Sequence, residues 1–200
     1  MELDDLARAL DARVGATVLI DGRSGAGKST LATRLGALRP AAVVLRLDAV
    51  YPGWDGLAWA CEHLHREVLA PRAAGRPAAW RAWDWAEDRP ADRHAVPADR
   101  PLVVEGVGAL TARNRALADL GVWVEADDRL RRSRALARDG DTYAPHWERW
   151  AAQEADFIAR HRPEASADVI ARPTRSGFAL EAARTSTPAD RTTTPAGAIA

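Results

Sequence analysis

Residues 22–29 carry the pattern GxxxxGK[ST], with the sequence GRSGAGKS followed by a threonine. Glycines allow a backbone loop to curl around an anion, and amide groups and a helix N-terminus then face that anion. In such loops the lysine reaches the β and γ phosphates of a nucleotide, and the next hydroxyl binds Mg²⁺. Of the 28 Lys and Arg residues only Lys28 is a lysine, and it occupies that position. The predicted nucleotide contacts are Gly22, Ser24, Gly25, Ala26, Gly27, Lys28, Ser29 and Thr30.

Two carboxylate residues follow apolar runs that are typical of buried strands. Asp48 comes after residues 42–47, and Glu105 comes after residues 101–104. The carboxyl ends of parallel strands meet at one edge of a sheet, so both side chains should lie near the phosphates. Two carboxylates and the Ser29 hydroxyl suit a partly hydrated Mg²⁺. We therefore expect Ser29, Glu105 and Asp48 to form a magnesium site, and a turn cap is the alternative role for Asp48.

Three arginines share one face of a predicted helix that begins with two aspartates, at positions 127 and 128. Arg131, Arg134 and Arg138 are spaced three and four residues apart, which is helical spacing. Such a face can close over ATP and neutralise charge on a transferring phosphoryl group. We predict that residues 127–140 form a lid in which Arg134 and Arg138 act in catalysis. Because the chain is rich in arginine, a solvated helix face is the alternative interpretation.

The elements that must position these residues alternate between strand and helix. Five short apolar runs, each rich in β-branched residues, are typical of strands that are buried on both faces. They lie at residues 16–20, 42–47, 101–105, 121–125 and 167–171. Apolar residues at helical spacing fill most of the segments between them. This alternation predicts an α/β fold in which helices cover both faces of a parallel sheet.

Two segments depart from the alternation. Residues 71–100 are rich in Pro, Arg and Trp without clear periodicity, which predicts a long loop folded over the site. Residues 181–200 contain almost no large apolar side chains and are predicted to be a disordered tail. Residues 1–180 are expected to form one domain, because a chain of 200 residues with 47% hydrophobic residues supplies one substantial core.

Charge and composition restrict the partners. The 28 basic and 28 acidic side chains give a formal net charge of zero, whereas nucleic acids and anionic membranes are usually bound through a basic excess. The single cysteine, Cys61, excludes an intramolecular disulfide. No apolar run reaches the length of about 18 residues that a membrane span needs. We expect a cytoplasmic protein that binds neither nucleic acid nor membrane, and the sequence gives no indication of its oligomeric state.

The single lysine also restricts the class of nucleotide-binding protein. The base-reading NKxD element of Ras-type GTPases needs a second lysine, which this chain lacks. Over residues 14–172 the chain resembles the uridine kinase-like branch of P-loop kinases. The motifs that carry the resemblance are DGRSGAGKST at 21–30, DAVY at 48–51, VVEG at 103–106, RDG at 138–140 and ADVI at 167–170.

The resemblance implies a P-loop NTPase fold, a three-layer α/β/α sandwich whose five parallel strands run in the order 2-3-1-4-5, with an arginine-rich lid. It also implies that Asp48 accepts the proton of an acceptor hydroxyl, a role that contributes about 10²- to 10⁴-fold to a rate. Asp48 thus joins Lys28, Arg134 and Arg138 as the expected catalytic residues. The resemblance places the acceptor against the Trp-rich segment within residues 71–100. The residues expected to bind the acceptor are Tyr51, Trp54, Arg81, Trp83 and Asp84.

The expected activity is transfer of the γ-phosphoryl group of ATP, in the presence of Mg²⁺, to a hydroxyl group of a small-molecule acceptor. The first acceptor that the resemblance implies is a nucleoside such as uridine or cytidine. A nucleoside monophosphate, a sugar or sugar phosphate, and a pantothenate-type molecule are alternatives. A function of another class is also open, namely that of an ATP-binding regulatory protein that hydrolyses ATP slowly.

Overall fold

The structure, a computed structural model, describes residues 1–183. The strands of this part of the chain are β1 (Thr17–Asp21), β2 (Val43–Arg46), β3 (Ala78–Asp84), β4 (Arg89–Val96), β5 (Leu102–Glu105), β6 (Leu120–Val124), β7 (Val169–Pro173) and β8 (Phe178–Ala182). Its α-helices are α1 (Leu3–Ala9), α2 (Lys28–Leu38), α3 (Leu57–His63), α4 (Ala70–Ala73), α5 (Ala112–Arg115), α6 (Asp128–Tyr143) and α7 (Trp147–His161). None of the helices within residues 1–183 is long and apolar enough to cross a membrane.

Six strands form one sheet in the order β2-β5-β1-β6-β7-β8. The first five pair in parallel, and β8 pairs antiparallel with β7. The sheet therefore has one strand more than the five that the sequence predicts. Residues 181 and 182, predicted to begin a disordered tail, belong to β8. Only Phe178 and Leu180 of β8 pack on the core, and two apolar residues are too short a pattern to indicate a strand. The rest of the predicted tail, residues 184–200, lies outside the described residues.

Helices cover both faces of the sheet, and the alternation of side chains along β1 divides the core in two. Val18 and Ile20 pack with residues of α1 and α2 on one face, while Leu19 packs with residues of α3 and α7 on the other. Each fully buried side chain of this kind stabilises the fold by about 1.5–3 kcal/mol. Because β1 is buried between two strands and two helical layers, its carboxyl end is held firmly at the edge where the predicted site lies.

The predicted loop at residues 71–100 contains a β-hairpin instead. After the short helix α4, strands β3 and β4 pair antiparallel as a separate two-stranded sheet. Trp80 stacks on His94 of the facing strand, with ring centroids 4.5 Å apart. The register shifts between Arg81 and Trp83, so apolar residues do not alternate along β3. Periodicity therefore gives no strand signal, and the prediction of a loop is wrong for this segment.

The predicted lid segment lies in helix α6. The Asp127 side chain accepts hydrogen bonds from the backbone amides of Arg129 and Leu130, at 2.9 and 3.1 Å, which caps the helix N-terminus. Near the other end, Gly140 has non-helical dihedral angles, with φ 50° and ψ −133°. Helix α6 is therefore interrupted between its arginines and the aromatic residue Tyr143.

A buried arginine joins the helical segment that ends in α4 to the entrances of two strands. Arg72 donates hydrogen bonds to the backbone carbonyls of Pro97, Gly15 and Arg100, the last two at 3.0 and 2.8 Å. Burial lowers the pKa of its guanidinium. Gly15 precedes β1, while Pro97 and Arg100 lie between β4 and β5, so one side chain holds three segments together.

Replacing Arg72 by methionine would keep the apolar stem but leave three carbonyl groups without a donor. We expect the free energy of unfolding to fall by about 2–4 kcal/mol, because unsatisfied buried groups are costly. Urea denaturation measures this quantity. The matched control is Arg76→Met, at an exposed position, which should change stability by less than about 0.5 kcal/mol. Equal losses in both variants would contradict the role assigned to Arg72.

Candidate active site

The loop between β1 and α2 needs glycine where neighbouring backbone approaches it. A side-chain Cβ atom at Gly22 would lie 2.3 Å from the carbonyl oxygen of Val124 in β6. At Gly25 it would lie 1.9 Å from the carbonyl oxygen of Arg131 in α6. Both glycines also have positive φ, at 148° and 77°. The loop is therefore packed against the neighbouring strand and the first turn of α6 with no room for side chains.

The only lysine of the chain lies inside this loop. Lys28 is the first residue of α2 and is 8% exposed. Its Nζ donates a hydrogen bond to the carbonyl of Arg23 at 3.2 Å, so the side chain folds back across the loop. Ser29 follows in the first turn of the same helix. A buried cation beside a helix N-terminus is suited to hold an anion such as a nucleotide phosphate.

A third carboxylate, Asp21, connects the loop to the segment that follows the neighbouring strand β5. The sequence analysis does not identify this residue as part of the site. Asp21 ends β1 and is fully buried. Its carboxylate accepts hydrogen bonds from the amides of Gly22, Gly108 and Leu110, at 2.6, 3.1 and 2.8 Å. Burial raises its pKa to about 7, against the opposing effects of these amides and of Lys28. An acidic residue closing an otherwise apolar strand is the sequence signal that could have indicated it.

Glu105 lies close to Lys28, Ser29 and Asp48. Glu105 ends β5 beside Ile20 of β1 and is 1% exposed. Burial raises the pKa of its carboxyl group, while Lys28 and the Ser29 hydroxyl lower it. Asp48, exposed in a short 3₁₀ turn, is close enough that its negative charge also raises the pKa of Glu105. The structure thus brings together the four residues Lys28, Ser29, Asp48 and Glu105.

The oxygen atoms in this group fit a magnesium ion. The Oε1 atom of Glu105 is buried and has no hydrogen-bond partner, and the nearest cation, Nε of Arg46, is 3.8 Å away. Among the described residues no cluster of three or more His, Cys, Asp and Glu side chains could hold a metal alone. Mg²⁺ is typically held by one or two carboxylates together with water and substrate phosphates, so Ser29, Glu105 and Asp48 are the residues that would hold it.

A cleft of about 260 Å³ opens from the loop toward the lid. Arg134 and Arg138 of α6 line it, together with Gly25 and residues 27–30. The turn between β7 and β8 also lines the cleft, where the ring of Phe178 lies 5.8 Å from the guanidinium of Arg34. The sequence analysis misses this part of the cleft because it lies beyond the last predicted strand. Arg131 does not line the cleft and is buried.

An aromatic cluster lies next to Asp48. Trp54 stacks on Tyr143 and His146, with ring centroids 5.3 and 4.4 Å away, and meets Trp85 of the hairpin at 5.0 Å. The indole N–H of Trp85 donates to the Asp48 carbonyl at 2.8 Å. Trp85, which is not among the predicted acceptor contacts, is therefore the residue that connects the hairpin to the predicted base.

Tyr51 borders the aromatic cluster through Trp150, whose ring centroid lies 4.8 Å from that of Tyr51 and 6.4 Å from that of Trp54. Tyr51 is buried, and its hydroxyl donates to the carbonyl of Val107 at 2.8 Å. Asp84 accepts hydrogen bonds from the amides of Ala86 and Glu87, at 3.0 and 3.1 Å, and so closes the hairpin turn.

Two further predicted contacts lie within β3. Arg81 is exposed and faces Arg93 across the hairpin, and the indole N–H of Trp83 is buried without a partner. Strand β3, which carries Arg81, Trp83 and Asp84, lies against the short 3₁₀ turn at Leu47–Ala49 that contains Asp48. Their role in binding an acceptor stays a prediction.

Two solved structures have the same architecture. A candidate uridine kinase from Bacillus stearothermophilus matches 84% of this chain and 96% of its own, with a TM-score of 0.60 and 20% sequence identity. A candidate fructose transport system kinase from a Silicibacter species matches 84% of this chain and 95% of its own, with a TM-score of 0.51 and 20% identity. The chain has a P-loop kinase fold. No protein-family model matches the sequence, and the search of curated proteins gives no match.

The buried Asp21 carboxyl predicts a pH dependence of stability. Its pKa is raised from 3.8 to about 7 in the folded state, so the folded protein holds this proton more tightly than the unfolded chain. The stabilising contribution is complete below the unfolded pKa and is lost as the pH rises through about 7. We expect the thermal unfolding midpoint to fall between pH 5 and pH 8, and to fall less steeply in Asp21→Asn. Exposed Asp99→Asn is the control, and an unchanged slope in Asp21→Asn would refute the assignment.

Proposed function

We propose that this protein transfers the γ-phosphoryl group of ATP to a hydroxyl group of a small uncharged acceptor, with a nucleoside such as uridine or cytidine as the first candidate. The observation that carries the proposal is the gathering of Lys28, Ser29, Asp48 and Glu105 beside a cleft that the arginines of α6 line. A site for triphosphate and a carboxylate base thus adjoin each other. The fold shared with two candidate kinases supports the same class of reaction.

In this proposal the loop amides and Lys28 bind the β and γ phosphates. Ser29, Glu105 and Asp48 would hold Mg²⁺, which when bound neutralises charge on the phosphate oxygens. Arg134 and Arg138, which line the cleft, stabilise the charge that develops on the transferring group. The acceptor oxygen forms a bond to the γ phosphorus while the bond from that phosphorus to the β–γ bridging oxygen breaks, and ADP leaves. Asp48 takes the proton of the acceptor hydroxyl.

The surroundings of Asp48 favour a stackable, uncharged acceptor. The aromatic cluster of Trp54, Trp85, Tyr143 and His146 lies beside it, and aromatic faces bind a planar base by stacking. Arg149 of α7 forms an ion pair with Asp55, the residue that follows Trp54. A phosphorylated acceptor would instead need cations aimed at Asp48. Arg46, two residues before Asp48 and 3.8 Å from Glu105, is a cation that a charged acceptor could meet. A nucleoside monophosphate and a pantothenate-type acceptor therefore stay as alternatives.

A sugar is the second candidate acceptor. One of the two structural neighbours is named for fructose transport, and tryptophan faces also pack against sugar rings through apolar contact. The alternative of a regulatory protein that hydrolyses ATP slowly predicts nucleotide binding with no stimulation by any acceptor.

Replacing Lys28 by methionine tests the nucleotide site. The variant keeps the apolar stem and loses the charge that faces the phosphates, so we expect ATP turnover to fall by at least about 10²-fold. Because Lys28 also faces the buried carboxyl groups of Asp21 and Glu105, some loss of stability is expected, and turnover is compared at a temperature where the variant is folded. Turnover near that of the original protein would contradict the assignment of Lys28 to the nucleotide site.

Replacing Asp48 by asparagine tests the base. ATP consumption with Mg²⁺ is measured against a panel of nucleosides, nucleoside monophosphates, sugars and pantothenate. We expect one acceptor to stimulate turnover, and Asp48→Asn to reduce that stimulated rate by about 10²- to 10⁴-fold. The affinity for Mg·ATP should fall much less, because asparagine keeps a carbonyl oxygen that can bind Mg²⁺. Stimulation that survives the substitution would exclude Asp48 as the base. ATP binding without stimulation by any member of the panel would favour the regulatory alternative.

A further inference from the structure

A fully buried carboxylate from α7 reaches the phosphate loop, and the proposed reaction gives it no role. Glu154 accepts a hydrogen bond from the backbone amide of Ser24 at 2.7 Å and one from Nε of Arg23 at 3.1 Å. It also accepts one from the indole N–H of Trp150 at 3.2 Å. Burying a carboxylate is costly unless such donors surround it. The Ser24 amide, predicted to contact nucleotide, is engaged by this side chain.

Glu154 belongs to a closed ring of alternating charges. Arg23 lies 3.1 Å from Glu154 and 3.4 Å from Asp128 at the start of α6. Asp128 in turn accepts from Nε of Arg131 at 2.7 Å, and a second nitrogen of Arg131 lies 3.7 Å from Glu154. Two carboxylates and two guanidiniums therefore balance each other. The ring links the phosphate loop, the first turn of the lid helix and α7.

The backbone of the phosphate loop is also in close contact with α6. The carbonyl of Arg131 lies so close to Gly25 that no side chain would fit between the loop and α6. One turn further along α6, Arg134 lines the nucleotide cleft. Any shift of Arg23 and Ser24 relative to Glu154 would thus move the loop against the helix that carries the lid arginines.

We propose that Glu154 is a positioning residue, which holds the phosphate loop in its nucleotide-binding form and fixes it to the lid helix before nucleotide arrives. This assignment rests on the proposed function, since it concerns the same nucleotide site. The negative charge is the essential property. A glutamine at this position can still accept from Ser24 and Trp150, but it removes the buried counter-charge that Arg23 and Arg131 share. The two arginines then have only Asp128 in common, and that side chain is 73% exposed.

The test compares Glu154→Gln with Glu148→Gln, a control on the same helix whose side chain is 85% exposed. The first measurement is titration of the full chain with Mg·ATP and with Mg·ADP, which needs no acceptor. We expect the Kd for both nucleotides to rise about tenfold in Glu154→Gln and to stay within twofold in Glu148→Gln. If an acceptor is found, KM for ATP should rise more than kcat falls, because bound nucleotide itself orders the loop.

A second measurement follows the loop directly. Lys28 is the only lysine, and its amine donates a hydrogen bond to the Arg23 carbonyl. The rate at which this amine is acylated therefore reports on the position of Arg23. Peptide mapping separates acylation of Lys28 from acylation of the N-terminus. We expect this rate to rise several-fold in nucleotide-free Glu154→Gln at a temperature where the variant is folded. A merely structural role would lower the unfolding midpoint and leave both the Kd of the folded protein and the acylation rate unchanged.

If Glu154→Gln fails to fold, Arg23→Gln is used instead. The Arg23 side chain is 27% exposed, and its removal breaks the same ring of charges. We then expect the Kd for ATP to rise at least threefold. A Kd within twofold of the original, in whichever variant folds, would overturn the proposal. Failure of the proposed function is recognised separately, since it would leave nucleotide affinity sensitive to Glu154 while no acceptor stimulates turnover.

Discussion

A carboxylate removed from water must be surrounded by donors, and three such groups border the phosphate loop. Asp21 gathers backbone amides, Glu105 faces the sole lysine and the serine hydroxyl, and Glu154 gathers one amide, an indole and two guanidiniums. Each therefore fixes the atoms around it. The loop keeps its form because movement of the surrounding donors would leave a buried carboxyl group without hydrogen-bond partners. Its own sequence, rich in glycine, would otherwise leave it conformationally free.

The parts of the site that the sequence predicts are those that local pattern determines. The loop motif, the strand ends at Asp48 and Glu105, and the N-terminus of the lid helix each depend on a few consecutive residues. The fold class follows from the same short apolar runs. No consecutive pattern relates Glu154 to Ser24, which lies 130 residues earlier. That contact exists only once the helices pack.

Other features were missed for identifiable reasons. The hairpin is hidden by the register shift in β3, and β8 by having only two apolar side chains. Arginine is so common in this chain that its presence in a helix carries little information. Arg131 and Arg134 look alike in sequence, yet one is buried in a charge ring and the other lines the cleft. Only packing separates structural arginines from those that can meet a phosphate.

The interruption of α6 at Gly140 separates two groups of side chains. The arginines that line the cleft precede the break, and Tyr143 and His146, which stack on Trp54 beside Asp48, follow it. Space around this glycine is open, with no atom within 4 Å of where a Cβ would be. In the proposed function, the half of α6 before the break would contact the nucleotide and the half after it would border the acceptor. One helix would then serve two pockets that do not share a continuous run of helical turns.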